Sequence, residues 1–151
     1  MSLDDLYKET ILDHYQHPRN RGQLEDPDVA TRGHNPLCGD EVLLAVKMDG
    51  DVIQDIAFGG RGCSISQASA SMMTEGVKGH PLGEASALAD SFKDLMTGSG
   101  SGEGLEGNED LEALQGVKKF PVRVKCALLP WTALMEIIER WQSAREKAAS
   151  A

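Results

Sequence analysis

The stretch Glu41-Val42-Leu43-Leu44-Ala45-Val46-Lys47-Met48-Asp49-Gly50-Asp51-Val52-Ile53-Gln54-Asp55-Ile56-Ala57-Phe58 decides the fold. Glu41 to Lys47 and Val52 to Phe58 are rich in Val, Leu and Ile. Between them stands Met48-Asp49-Gly50-Asp51, whose central Asp-Gly is a favoured tight-hairpin signal because glycine takes the positive φ such a turn needs. Two antiparallel strands follow. Upstream, Asn20 to Leu37 is polar and rich in Gly and Pro, and within it Asp28 to Thr31 is expected to form a short edge strand.

Downstream, Gly59, Gly60 and Gly62 make a loop. Ser64 to Lys78 then predicts a helix of small residues closed by Gly79 and Pro81, and Ala85 to Met96 predicts another. At the amino-terminal end, Leu3, Leu6, Tyr7, Ile11, Leu12 and Tyr15 recur at helical spacing. Ser2 serves as N-cap, Asp4 and Asp5 fall in the dipole-favoured first turn, and Pro18 stops the helix. Thr97 to Gly107 holds five glycines and two serines, the composition of a flexible loop. A short helical turn is expected from Asn108 to Gln115. A last helix runs from about Cys126 or Leu129 to Ala148, with Leu134, Ile137, Ile138 and Trp141 on one face and Pro130 tolerated in the first turn. No internal repeat is visible. The pattern gives an α+β class, a small three-stranded antiparallel sheet with helices packed on one face, in a single domain spanning 1–151.

The chain has 151 residues, with 24 Asp and Glu against 15 Lys and Arg, a formal charge of −9. So acidic a chain, without a sizeable Lys/Arg cluster, is repelled by phosphate backbones and anionic lipid, which argues against nucleic acid and membrane partners. Its longest clean apolar run, Val42 to Val46, is far short of the roughly 20 residues of a membrane helix. The first residues carry Asp4 and Asp5 instead of a basic targeting region. A soluble, cytoplasmic protein is expected.

Three cysteines are an odd number for a chain with neither a secretory signal nor a disulfide scaffold's density. Cys38 precedes Gly39-Asp40 at the entrance to the first hairpin strand, Cys63 follows the glycine loop, and Cys126 is expected at the start of the last helix. Helix N-termini favour anions, so Cys63 and Cys126 are placed to ionise readily. If these elements meet at one end of the sheet, the three cysteines converge. Asp40 can join them, because residues two apart on an extended chain point the same way. Three sulfurs and a carboxylate suit zinc. Spacing alone leaves open three unconnected buried cysteines, since the paired Cys-x-x-Cys units of zinc ribbons are absent.

Four segments carry a resemblance: Asp13-His14-Tyr15-Gln16-His17-Pro18-Arg19-Asn20-Arg21-Gly22, Asn35-Pro36-Leu37-Cys38-Gly39-Asp40, Phe58-Gly59-Gly60-Arg61-Gly62-Cys63-Ser64-Ile65-Ser66 and Phe120-Pro121-Val122-Arg123-Val124-Lys125-Cys126. In order, they resemble the motifs of the IscU/NifU-N family of iron–sulfur cluster assembly proteins. The Gly-rich acidic stretch at about 97–116 looks like the insertion of the family's SufU branch, and Lys125 stands where scaffold-type members have a histidine. The resemblance implies an IscU/SufU-like fold and a zinc ion on Cys38, Asp40, Cys63 and Cys126. It also implies a sulfurtransferase role: Cys38 accepts persulfide sulfur from a SufS-type cysteine desulfurase, one of whose histidines replaces Cys38 on zinc, and the sulfur passes to a SufBCD-type scaffold. Lys125 is expected to bias Cys126 toward thiolate, and Arg123 and Lys125 to orient that partner or to balance local anions. The alternative is a scaffold on which a cluster is assembled and handed on, with iron or an iron–sulfur cluster in the same ligands.

Simpler readings apply elsewhere. His14 and His17 are expected to complement the first helix's C-terminal dipole and not to bind metal. His34 and His80 receive no role. Ser64, Ser66, Ser69 and Ser71 are read as close-packing residues, and Met72, Met73, Met96 and Met135 as core filler. Glu103, Glu106, Glu109, Asp110 and Glu112 are read as a solvated loop.

Overall fold

The computed structural model describes residues 3–36, 39–98, 105 and 108–150. Cys38 lies outside the described residues, as does most of the glycine-rich stretch, 99–104 and 106–107. The elements run α1 (Leu3–Gln16), β1 (Val29–Asn35), β2 (Asp40–Asp49), β3 (Val52–Arg61), α2 (Ser64–Val77), α3 (Leu82–Thr97), α4 (Glu109–Ala113), a 3-10 segment (Leu114–Lys119) and α5 (Pro121–Ser150).

The expected hairpin is present. Asp49 pairs with Val52 around a two-residue turn, and Gly50 takes φ +63° there. A bulge follows, because Met48 faces Ile53 while Lys47 faces Asp55, leaving Gln54 as the extra residue. The sheet order is β1-β2-β3, antiparallel throughout. The edge strand β1 is longer than expected and lies further along the chain, ending at Asn35 opposite Asp40. On the other side, residues 20–22 pair with β3: the Phe58 N–H donates to the Asn20 carbonyl at 3.0 Å and the Gly22 N–H to the Phe58 carbonyl at 2.9 Å.

Side chains alternate along β2, with Asp40, Val42, Leu44, Val46 and Met48 buried and Leu43, Lys47 and Asp49 exposed. The carboxylate of Asp40 therefore ends a row of core residues, with the residue 2% exposed. Helices α2 and α5 cover this face, and Phe58, Ile53, Met73, Leu134 and Ile137 fill the space between. On α3, Phe92 stacks on Trp131 of α5 with ring centroids 4.9 Å apart. The methionines behave as read from sequence: Met72, Met73 and Met96 are buried and Met135 packs against the core.

Three expectations need correcting. Helix α5 starts at Pro121, not near Cys126, because proline suits the first helical position, where an N–H would have no intrahelical partner. Pro130 is consequently inside the helix and has no N–H to offer the Cys126 carbonyl. Ser69 serves this turn from α2: its Oγ donates to the Ala127 carbonyl at 2.6 Å and accepts from Trp131 Nε1 at 3.0 Å. Second, Leu12 and Tyr15 of α1 are exposed, while Ile11 and His14 face inward. Third, Leu105, in the stretch read as an open loop, is fully buried. Among the described residues no helix is long and apolar enough to cross a membrane.

Candidate metal centre

Three elements deliver the candidate ligands. Asp40 opens β2, Cys63 is the N-cap of α2, and Cys126 lies in the second turn of α5. Their ligand atoms all fall within 4.8 Å of one another. Cys63 stands at the N-terminus of its helix, whereas Cys126 sits past the first turn of α5. Cys38, the fourth candidate, is outside the described residues; the adjoining Gly39 takes φ +74°, a conformation glycine favours.

Asp40 divides its two oxygens. Oδ1 accepts the backbone N–H of Cys63, the N-cap residue, at 2.8 Å, and Oδ2 lies 3.3 Å from Cys63 Sγ. One oxygen positions the loop and the other faces sulfur. Gly62 permits this closeness, since a Cβ there would come within 2.6 Å of Asp40 Oδ1 and 2.7 Å of Ser66 Oγ. Ser66 donates to the Cys63 carbonyl at 3.1 Å and its Oγ lies 3.9 Å from Cys63 Sγ. Cys126 is fully buried, its thiol 3.8 Å from the Val122 carbonyl one turn earlier.

Arg123 reaches both sulfurs. Its guanidinium is raised above its ordinary value, first by a hydrogen bond with Cys126 and next by the charge of Cys63. Lys125 and Arg123 are both exposed, and Arg123 lies three residues before Cys126, a spacing that puts two residues on one face of a helix.

The donor set fits a tetrahedral metal. With Zn–S near 2.3 Å, neighbouring ligand atoms stand about 3.8 Å apart, and those of Asp40, Cys63 and Cys126 all lie within 4.8 Å of one another. Two thiolates and a carboxylate would supply three negative charges, and zinc or ferrous iron accepts such ligands. The structure brings together three of the four ligand candidates expected from sequence, Asp40, Cys63 and Cys126. Sequence reasoning missed Gly62 and Ser66, for which the crowded Gly-x-Gly-Cys spacing was the available signal.

A second acid and imidazole group stands elsewhere. His14 Nε2, Glu75 and Asp110 also offer ligand atoms within 4.8 Å of one another. Here, however, directional bonds use the donors up. His14 is fully buried, its Nδ1 2.8 Å from Ser71 Oγ and its Nε2 2.6 Å from Asp110 Oδ2, while Arg19 Nε stands 3.6 Å from Glu75. His14 thus joins α1, α2 and α4 and does not face solvent at the end of its helix. Asp110 is correspondingly more than a solvated loop residue. His17 is exposed, and His80 pairs with Glu84 at 2.9 Å.

In comparison with known proteins, residues 6–127 match the NifU-like N terminal domain. The chain belongs to this family. Over 133 residues it is 49% identical to the zinc-dependent sulfurtransferase SufU of Bacillus subtilis (strain 168), covering 88% of this chain and 89% of that protein. It is 46% identical over 143 residues to the iron–sulfur cluster assembly scaffold protein IscU of Streptococcus pyogenes serotype M1, covering 95% and 89%. The crystal structure of a nitrogen-fixing NifU-like protein (N-terminal) from Brucella abortus superimposes with a TM-score of 0.82 at 28% identity, covering 94% of this chain and 99% of that one. The three-stranded sheet with its helices is thus the fold of this NifU-like family.

Proposed function

We propose that this NifU-like protein acts in iron–sulfur cluster assembly as a zinc-dependent sulfurtransferase. The reading rests on one observation above all: two cysteines and a buried carboxylate, distant in sequence, present their ligand atoms together at one end of the sheet. Cys38, two residues before Asp40, completes the ligand set and is the sulfur acceptor. The similarity to a protein named a zinc-dependent sulfurtransferase supports the choice of zinc. Bound there, zinc would keep its sulfur ligands as thiolates at neutral pH.

The chemistry is thiol exchange. The Cys38 thiolate attacks the outer sulfur of a cysteine desulfurase persulfide, a new S–S bond forms, the donor's S–S bond breaks, and the desulfurase cysteine leaves as thiolate. No oxidant or reductant is consumed. Asp40 fixes the loop bearing Cys63 through its backbone N–H, and Arg123 places positive charge beside the sulfurs. We assign the donor to a SufS-type desulfurase and the eventual recipient to a SufBCD-type scaffold, in the cytoplasm.

The scaffold reading is favoured by the relative named IscU and disfavoured by Lys125, which cannot ligate iron while protonated. Metal analysis combined with a desulfurase assay separates the two. The expected result is one zinc per chain, a colourless protein, and faster desulfurase turnover that Cys38→Ala abolishes. Brown protein with cluster absorbance surviving purification would decide for the scaffold.

A further inference from the structure

Beside the metal centre lies a cavity of about 520 Å³ lined by Tyr15, Pro18, Arg21, Arg61, Gly62 and Gln67, among others. It shares a wall with the ligands, because Gly62 backs directly onto the Asp40 carboxylate. Two cations border it. Arg21 donates from Nη1 to Gln67 Oε1 at 2.6 Å and from Nη2 to the Gly60 carbonyl at 2.8 Å, and its guanidinium lies 5.5 Å from the centre of the Phe58 ring. These bonds fix its direction without neutralising it. Arg61 stands across the ladder from Glu41, yet the Glu41 carboxylate is given to Arg32. Among the described residues neither Arg21 nor Arg61 has a carboxylate partner, in a chain whose net charge is −9.

Gln67 sets the direction of Arg21: it is 6% exposed and its Oε1 accepts from Nη1, while its Nε2 is buried. We infer that this cavity is a binding site for a carboxylate group, held by Arg21 and Arg61 at the edge of the metal centre, with Gln67 fixing Arg21 in place.

The class follows from the donors. Planar guanidinium groups match the planar, singly charged carboxylate. A phosphate cradle would draw on the free N–H groups of a helix N-terminus, and here the Cys63 N–H is spent on Asp40. The carboxylate can belong to a small free acid, for which the volume is ample, or to an acidic side chain of a protein that docks over the metal centre.

The first arm of the test titrates the full-length protein with succinate, its neutral analogue succinamide, and inorganic phosphate, following the Gln67 side-chain amide and the Arg21 and Arg61 Nε–H signals by nitrogen-15 NMR. Saturable shifts with succinate and none with succinamide, weakened about tenfold in Arg61→Gln and lost in Gln67→Met, identify a free acid as ligand. Tighter binding of phosphate than of succinate would overturn the carboxylate assignment. In the second arm, a site reserved for a protein side chain shows no succinate shift, and both variants instead weaken desulfurase binding about tenfold with unchanged zinc content and melting temperature. Silence in both arms removes the proposal. The first arm requires neither sulfur transfer nor a desulfurase, so its outcome is independent of the sulfurtransferase reading.

Discussion

Helix α2 carries two clusters of ligand-type residues, and they differ in the atoms that meet there. At its N-terminus, Cys63 meets Asp40 and Cys126. About two turns further on, Ser71 meets His14, which meets Asp110. In the second cluster each imidazole nitrogen has a short partner of its own, and Ser71 Oγ also accepts the Arg19 N–H at 2.8 Å. That network is satisfied by the protein. In the first, sulfurs, which bond hydrogen weakly, face a carboxylate across distances suited to a metal. Closeness of ligand-type residues therefore does not by itself distinguish a metal centre from a latch; what the neighbouring hydrogen bonds have already used does.

The largest expected effect breaks this contrast at the metal centre. Cys63→Ser and Cys126→Ser should each remove most of the zinc, read as metal per chain after dialysis. Retention of a full equivalent in either would show that the sulfur is no ligand. Asp40→Asn keeps an oxygen to cap the Cys63 N–H while losing the charge, so zinc affinity should fall by about 10- to 100-fold with the fold intact. Gly62→Ala should act almost as strongly without replacing a ligand, because the new methyl displaces the Asp40 carboxylate.

The latch should give the opposite pattern. Ser71→Ala removes the partner of His14 Nδ1 and of the Arg19 N–H, both in or beside the core, and should cost about 1–3 kcal/mol in denaturant unfolding with zinc content unchanged. Loss of zinc in this variant would mean that the two clusters are coupled. Asp110→Asn, at a side chain 47% exposed, should cost less, on the order of 1 kcal/mol.

The same contrast explains what could be read from sequence. The hairpin was legible because alternation and Asp-Gly are local signals, and Asp40 could be placed because the period of two in β2 carries it to the core face. Cys63 was placed by the glycines before it. The start of α5 was misplaced because Pro130 is the more conspicuous stop signal, yet Pro121 fills the favoured first position and Ser69 supports the Pro130 turn from another helix. The role of His14 was hidden for a related reason. Its partners lie 57 and 96 residues away, and no periodicity in α1 distinguishes a buried imidazole from one capping a helix end. Contacts within one element leave a pattern in the sequence, whereas bonds between elements leave only residue types.

The smallest expected effect concerns the exposed neighbour of the latch. Arg19 Nη2 lies 2.8 Å from Asp13 Oδ2, and this hydrogen bond is the main reason the Asp13 carboxyl is held below its ordinary value of 3.8. A carboxylate with a lowered folded value stabilises the protein above its unfolded pKa and loses that contribution as pH falls through the folded value. Arg19→Gln should therefore raise the Asp13 titration midpoint toward 3.8, and any difference in stability from the parent should be present near neutral pH and vanish in acid. Both side chains are substantially exposed, so solvent screens the pair and the displaced NMR titration should be easier to detect than the change in unfolding. An unmoved Asp13 titration would show that Arg19 spends its charge on Glu75 instead.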